Sequence, residues 1–476
     1  IVGQLSPSSL LVNSTKNYTL GGSGALVGNF TLTKTNSGTL TLAGTNSFSG
    51  GLVIAGGTVV VTNSPSAGGS GTVYLSGGTL NEASASFTNP ISCSGTNTWI
   101  ISGGVNASPS STLTGSGRLL LSPIASGQFT PAGDWSGFSG TIFFTGVNAQ
   151  ARLFGGNSGS AAATFDLGTN NGKLYNRNGN LTVQLGALAG GAGTTLSGAN
   201  AVAAPTTYVV GALNADSTFQ GKIIDDASFG KTALRKIGSG TLSLTGTNNY
   251  SAGTTVSNGV LMVNTIGNSG TGTNFVNIYS GATLGGTGVI SGPVTMFTGG
   301  TLSPGSPQGT LTISNSLTLN AGSISSFALG TNSDRVVVKG NLALGGTLIA
   351  TNFGGLVAGT NTLFTYNGTL SGTIALGAMP TGYKFVLATN VPGQVNLIAA
   401  KPVIATVARV STNIIFTGTG GIATSNYLVL VSTNLAMPLA NWSRLATNQF
   451  DVSGNFRITN SMLPSDSKRF YTISIE

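Results

Sequence analysis

Two stretches of this chain repeat one another. Residues 32–61 read LTKTNSGTLTLAGTNSFSGGLVIAGGTVVV, and residues 234–263 read LRKIGSGTLSLTGTNNYSAGTTVSNGVLMV. They align without a gap at an offset of 202, with 14 identities in 30 positions. Lys34 matches Lys236, Gly38 matches Gly240, and Gly44-Thr45-Asn46 matches Gly246-Thr247-Asn248, with an aromatic following in each (Phe48 and Tyr250). Repetition on this scale constrains the fold strongly, because a short repeated unit buries its apolar side only by stacking on others like it.

The units read as strands. In Thr39-Leu40-Thr41-Leu42 and Ser316-Leu317-Thr318-Leu319, apolar and hydroxyl side chains alternate, the period of a pleated strand. A Gly-Thr-aliphatic unit recurs at Gly57-Thr58-Val59, Gly78-Thr79-Leu80, Gly300-Thr301-Leu302 and Gly346-Thr347-Leu348. No segment keeps helical spacing. Short strands broken by Gly, Asn and Ser predict an all-β fold, a right-handed parallel β-solenoid in which each coil pairs with the next. Leu40, Leu42, Val59 and Val61 of the first copy, and Leu242, Leu244, Leu261 and Val263 of the second, are expected to stack inward.

Glycine marks a boundary. Residues 1–401 hold 70 of the 74 glycines, and residues 402–476 hold the remaining four. The last segment concentrates aromatics instead: Phe416, Tyr427, Trp442, Phe450, Phe456, Phe470 and Tyr471. Its longer strand candidates, 426–431 and 469–475, predict a separate Ig- or fibronectin-like β-sandwich. The expected division is a lead-in over 1–31, the solenoid over 32–400, and the sandwich over 401–476.

Composition then removes whole classes of chemistry. Charged residues are 6% of the chain, against about 25% in ordinary soluble domains. There is no His and a single Cys, so His-dependent catalysis, Cys-cluster metal sites and internal disulfides are excluded. The expectation is no enzyme, no cofactor and no metal. The net charge of +9 comes from basic residues that look scattered along the chain, unlike the clustered face of a nucleic-acid binder. A salt-sensitive attraction to cell-envelope or matrix polysaccharide fits better. No apolar run approaches the length of a membrane-spanning helix. The opening IVGQLSPSSL has no basic region followed by a long apolar one, consistent with a signal peptide already removed.

The unit around Lys236–Val263 resembles the autotransporter-associated β-strand repeat of bacterial secreted proteins. Residues 217–223 look like that family's lead-in strand, and 281–305 is similar to the spacer that follows such repeats. Residues 334–340 resemble the strand opening the next section. The match is closest over 217–305, good over 32–61, and rests on general pattern in 81–205 and 350–400. The resemblance implies a β-helical stalk on a bacterial surface or in its matrix, with adhesive or structural roles and no catalytic residues. The terminal segment resembles a small β-sandwich module rather than a membrane barrel.

Several residues invite chemistry. Gly230-Lys231-Thr232 suggests a phosphate loop, but Asp225 stands where that motif needs glycine. Asp225-Asp226, with Asp216 nearby, is the only adjacent acidic pair, and IIDDASFGK reads as a solvated loop between strands. Lys34 and Lys236 are expected to point outward and discourage edge pairing, rather than bind glycans or form isopeptide links. Trp135 is a candidate platform for stacking on sugar, whereas Trp442 is expected in the sandwich core. Trp99 is weighed with them as a platform, and Cys93 is expected to be a small buried residue. The Asn-x-Ser/Thr triplets at Asn13, Asn29, Asn249 and Asn441 are what this composition produces by chance.

The chain therefore reads as an extracellular structural protein of the bacterial surface. Its leading segment (Ile1, Val2, Leu5, Leu10, Leu11 and Val12) is expected to add as a strand to another copy, building a head-to-tail homopolymer. The alternative is an adhesin or glycan binder with the solenoid as spacer. A polysaccharide lyase or hydrolase on the same fold is a third.

Overall fold

The computed structural model describes residues 1–475 apart from 63, 84–86, 103–105, 108–109, 124–127, 202, 227–229 and 463–467. Strands dominate, and the only helical turns among the described residues are the 3-10 turns Gly156–Ser158 and Leu439–Asn441. The chain coils as a parallel β-solenoid with three faces. The first face opens with Leu10–Asn13, Leu32–Thr35, Leu52–Ile54, Val73–Leu75, Ile91–Cys93 and Leu113–Gly115, each strand paired in parallel with the next. The second carries Tyr18–Leu20, Thr39–Ala43, Thr58–Thr62, Thr79–Glu82 and Thr96–Ile101. The third is continuous from Asn106–Ala107 to Lys222–Ile224.

Register converts alternation into a core. On the second face Leu40 stands against Val59, then Leu80, Trp99, Leu121 and Phe144 on successive coils. All six are 2% exposed or less. Fully burying one such side chain is worth about 1.5–3 kcal/mol. The residues between them face out and are mostly Thr, Ser and Asn, so neighbouring coils about 4.8 Å apart repeat uncharged groups.

One strand keeps the faces continuous. Leu181–Ala189 turns a corner: its first five residues pair with Thr206–Val210, while its last three pair with Thr164–Asp166. The first face thereby passes to Thr206–Val210, Thr232–Lys236 and Thr254–Val256, and the second passes to Ser217–Phe219, Thr241–Leu244 and Gly259–Val263. Both copies of the repeat consequently hold their lysine strand on the first face and their Leu-x-Leu strand on the second.

Pairing changes sense near the end of the solenoid. Gly359–Tyr366 is parallel to Arg335–Val338 but antiparallel to Gln394–Ala400, which in turn pairs antiparallel with Lys384–Ala388. From Val403 onward the chain forms two antiparallel three-stranded sheets, a small β-sandwich. One holds Val403–Val410, Asn413–Thr419 and Phe456–Ser461, and the other holds Ser443–Gln449, Asn426–Ser432 and Phe470–Ile475. Phe416, Tyr427, Val429, Phe450, Phe456 and Ile458 make its core, separate from the solenoid core. Trp442 is not among them. It is half-buried on the 3-10 turn side, with Nε1 donating to Met437 O at 2.9 Å, so the expectation of a core tryptophan is corrected.

Candidate interaction faces

The repeat lysines overturn the outward expectation. Lys34 and Lys236 share the inward phase of Leu32 and Leu234, two residues before each, and both are 1% exposed or less. Each side chain runs along the interior wall to a corner where the backbone turns and its carbonyls lack strand partners. Lys34 Nζ donates to the carbonyls of Thr35 (2.6 Å), Asn36 (2.7 Å) and Gly56 (3.4 Å). Lys236 Nζ repeats this at Ile237 (2.7 Å), Gly238 (2.9 Å) and Asn258 (3.3 Å). An ammonium has three donors, and all three are used. Gly57 and Gly259, at φ +66° and +67°, turn the next coil past this point, and a Cβ on Gly57 would lie 2.7 Å from Lys34 Nζ. Burial pushes the ammonium pKa down in both, to about 8 for Lys236, where the nearby Asp216 carboxylate opposes it.

The repeat asparagines also point in. Asn46 Oδ1 accepts from Leu26 N on the coil before (3.0 Å), and its Nδ2 donates to Ala67 O on the coil after (2.8 Å). Asn248 does the same with Ile223 N (2.7 Å) and Gly270 O (2.6 Å). Phe48 and Tyr250 are fully buried beside them. Phe48 stacks on Phe30 at 5.1 Å, and the Tyr250 hydroxyl meets Thr254 Oγ1 at 2.5 Å. Leu40, Leu42, Val59, Val61, Leu242, Leu244, Leu261 and Val263 are all buried.

Trp135 is no sugar platform. It is 1% exposed, packs with Trp99 and Phe129 at centroid distances of 6.2 and 5.6 Å, and donates from Nε1 to Ser111 O at 3.3 Å. Trp99 comes from 36 residues earlier in the chain and Phe129 from only six. Trp99 is likewise enclosed, and Cys93 is buried with Sγ accepting from Asn97 Nδ2 at 3.3 Å.

Asp225 joins coils. Its Oδ1 accepts from Thr232 N (2.7 Å) and Ser251 N (3.1 Å), a fixed structural position rather than the solvated loop expected. Thr232 is buried in a strand paired with Thr206, so Gly230-Lys231-Thr232 forms no phosphate cradle. Residues 227–229 of the IIDDASFGK loop lie outside the described residues. Sequence reasoning missed Glu82, which is fully buried and accepts Phe87 N at 3.1 Å, its carboxyl pushed up to about 7 by desolvation.

The leading segment forms the first described coil. Gln4–Leu5 pairs with Ala25–Leu26, and Leu10–Asn13 with Leu32–Thr35. Ile1, Leu10 and Val12 pack against the core, whereas Val2, Leu5, Leu11 and Tyr18 are exposed. The segment is therefore already paired within its own solenoid along one edge.

Two outward features carry chemistry. On the first face Tyr279 and Phe297 stack on adjacent coils at 4.7 Å with planes 1° apart. On the third face the strands Gln150–Leu153 and Lys173–Asn176 bring basic and aromatic side chains together. Arg152 stands opposite Tyr175, and Gln150 opposite Lys173. Lys173 Nζ lies 4.4 Å from the Tyr175 ring centroid, and the Arg177 guanidinium 5.1 Å from that of Phe154. Gln128, Thr195 and Lys222 continue the Gln150–Lys173 row on neighbouring coils. Four of the nineteen basic residues, scattered in the sequence, are gathered here by coil length.

Comparison with known proteins bears on the duplicated stretches. The family described as Passenger-associated-transport-repeat matches residues 32–61 and 234–263. A curated relative, the Adhesin BmaC autotransporter of Brucella suis biovar 1 (strain 1330), is 34% identical over 181 residues. The match spans 36% of this chain and 5% of that protein. The two copies are autotransporter-associated repeats, and the solenoid that contains them is of the passenger type.

Proposed function

We propose that this chain, with two passenger-type repeats, belongs to a bacterial surface adhesin in which the solenoid is a stiff stalk displaying its outer faces to a partner. One observation carries the reading. The charged and amide side chains shared by the two copies, Lys34 with Lys236 and Asn46 with Asn248, turn inward to hold coils together. The repeats build a rod, and recognition falls to outward side chains that differ from coil to coil. The role is extracellular and non-enzymatic, and the partner is a surface or matrix component.

A finer version has copies stacking head to tail on the first coil, where Val2, Leu5, Leu11 and Tyr18 are exposed. Both versions meet one experiment. Beads coated with the chain should attach saturably to cell layers and be displaced by free chain, while electron microscopy of the same preparation reports filaments or single rods. Absence of saturable attachment overturns the adhesin reading, and polysaccharide cleavage by the chain overturns the non-enzymatic one. Filaments unchanged on deletion of residues 1–12, or no filaments at all, overturn the stacking.

A further inference from the structure

We propose that the third face between Gln150 and Lys222 binds a linear acidic polysaccharide, with its carboxylate or sulfate groups seated on Arg152, Lys173 and Arg177. The inference rests on the adhesin reading for its biological setting, but its chemistry stands on the geometry of this face.

Charge comes first. Only 19 of 476 residues are Lys or Arg, yet two adjacent coils hold three of them at outward positions, and Lys222 follows in the same row. Burial disfavours the charged form of Arg152, and repulsion from the neighbouring Arg177 charge adds to that. An anion between them relieves that repulsion, and guanidinium groups offer paired donors to a carboxylate or sulfate. Asp226 is the acidic neighbour, its charge reaching Tyr175, so the face is basic without being uniformly so.

Preorganisation comes second. Lys173 rests over Tyr175 and Arg177 over Phe154, and these cation–π contacts restrict long side chains before any ligand arrives. They also occupy ring faces that nucleic-acid bases would need for stacking, which favours a sugar polyanion over a single-stranded nucleic acid. Spacing comes third. Successive coils stand about 4.8 Å apart, close to the length one pyranose ring adds to an extended polysaccharide. A linear chain lying along the rod therefore offers one group per coil, with the Gln150 amide and Thr195 hydroxyl beside the cations for its hydroxyls.

The test uses the full chain and four probes: heparin, alginate, neutral dextran and single-stranded DNA. Heparin or alginate should bind with an affinity that falls with salt, and dextran should not bind. The triple variant Arg152→Gln, Lys173→Gln, Arg177→Gln should lose at least about tenfold in affinity, the scale of one charge-assisted contact. A charge-matched control, Arg335→Gln, Lys339→Gln, Arg457→Gln, should change it by less than about twofold. Should the triple variant lose its protease resistance, the outward Lys173→Gln alone should weaken binding and Lys173→Arg restore it. Equal loss in the control, no binding by the unaltered chain, or DNA bound as tightly as heparin overturns the proposal. Saturable cell attachment that ignores the triple variant would place adhesion elsewhere and count against this site, leaving the adhesin reading intact. Polysaccharide binding without attachment to cells would do the reverse.

Discussion

The two copies of the repeat differ at 16 of 30 positions and still build the same coil junction. Lysine to three carbonyls, asparagine to the coils before and after, and a left-handed glycine recur with hydrogen-bond lengths that agree within about 0.3 Å. Their surroundings differ in two ways. Thr39 N donates to Asn17 Oδ1 in the first copy, whereas Thr241 N donates to Asp216 Oδ1 in the second. The aromatic is Phe48 in one and Tyr250 in the other. Hydrogen bonds closing corners are thus fixed by geometry, while neighbours that tune them are free to change.

The largest effect should come from breaking the shared part. Asn46→Ala and Asn248→Ala each strand a buried N–H and a buried carbonyl on different coils, at about 1–3 kcal/mol per group. Both should open locally, read by faster amide exchange at Leu26 and Ala67 or at Ile223 and Gly270, to similar extents. A loss confined to one copy would mean that the junctions are not equivalent.

The acid beside Lys236 should set a smaller, pH-dependent difference. Folding lowers this ammonium to about 8, below its ordinary value of 10.5, so the folded state releases the proton first. Stability is then lowest below pH 8, where both states are protonated, and rises between pH 8 and 10.5. Lys236→Met should remove that rise. Asp216→Asn, which copies the Asn17 arrangement, should move its onset to lower pH, as read by denaturation across pH 7–11. An onset that stays in place would show that the carboxylate is too well solvated to matter.

The smallest effect is expected from the aromatic. Tyr250→Phe removes the hydroxyl contact with Thr254 and should cost about 0.5–1.5 kcal/mol. Because Thr254 Oγ1 also reaches Thr271 O at 3.1 Å, a near-neutral result in thermal denaturation would mean that this second bond suffices.

Strand alternation is local, so Leu40, Leu42 and their counterparts declare the solenoid in the sequence itself. Charge alone assigns Lys34 to the surface, although its spacing from Leu32 places it in the inward phase. The carbonyl that completes its shell, on Gly56, lies 22 residues away and leaves no local signal. Trp135 fails for the same reason, its partner Trp99 and its acceptor Ser111 standing 36 and 24 positions earlier in the chain. Arg152 and Lys173 look isolated in the sequence, 21 positions apart, and meet only because the coil has nearly that length. What is legible is the period; what is not is which residues the period superimposes.

The asparagine ties have a mechanical meaning. Ladder hydrogen bonds between coils run along the rod, so tension on a tethered stalk pulls directly on them. Three faces share that load at each junction, and water competes for bonds at the outer surface. Asn46 and Asn248 bridge their junctions from inside, where water does not reach. Under force these inner ties should therefore outlast the ladder bonds at the outer surface, acting as clamps set apart along the solenoid.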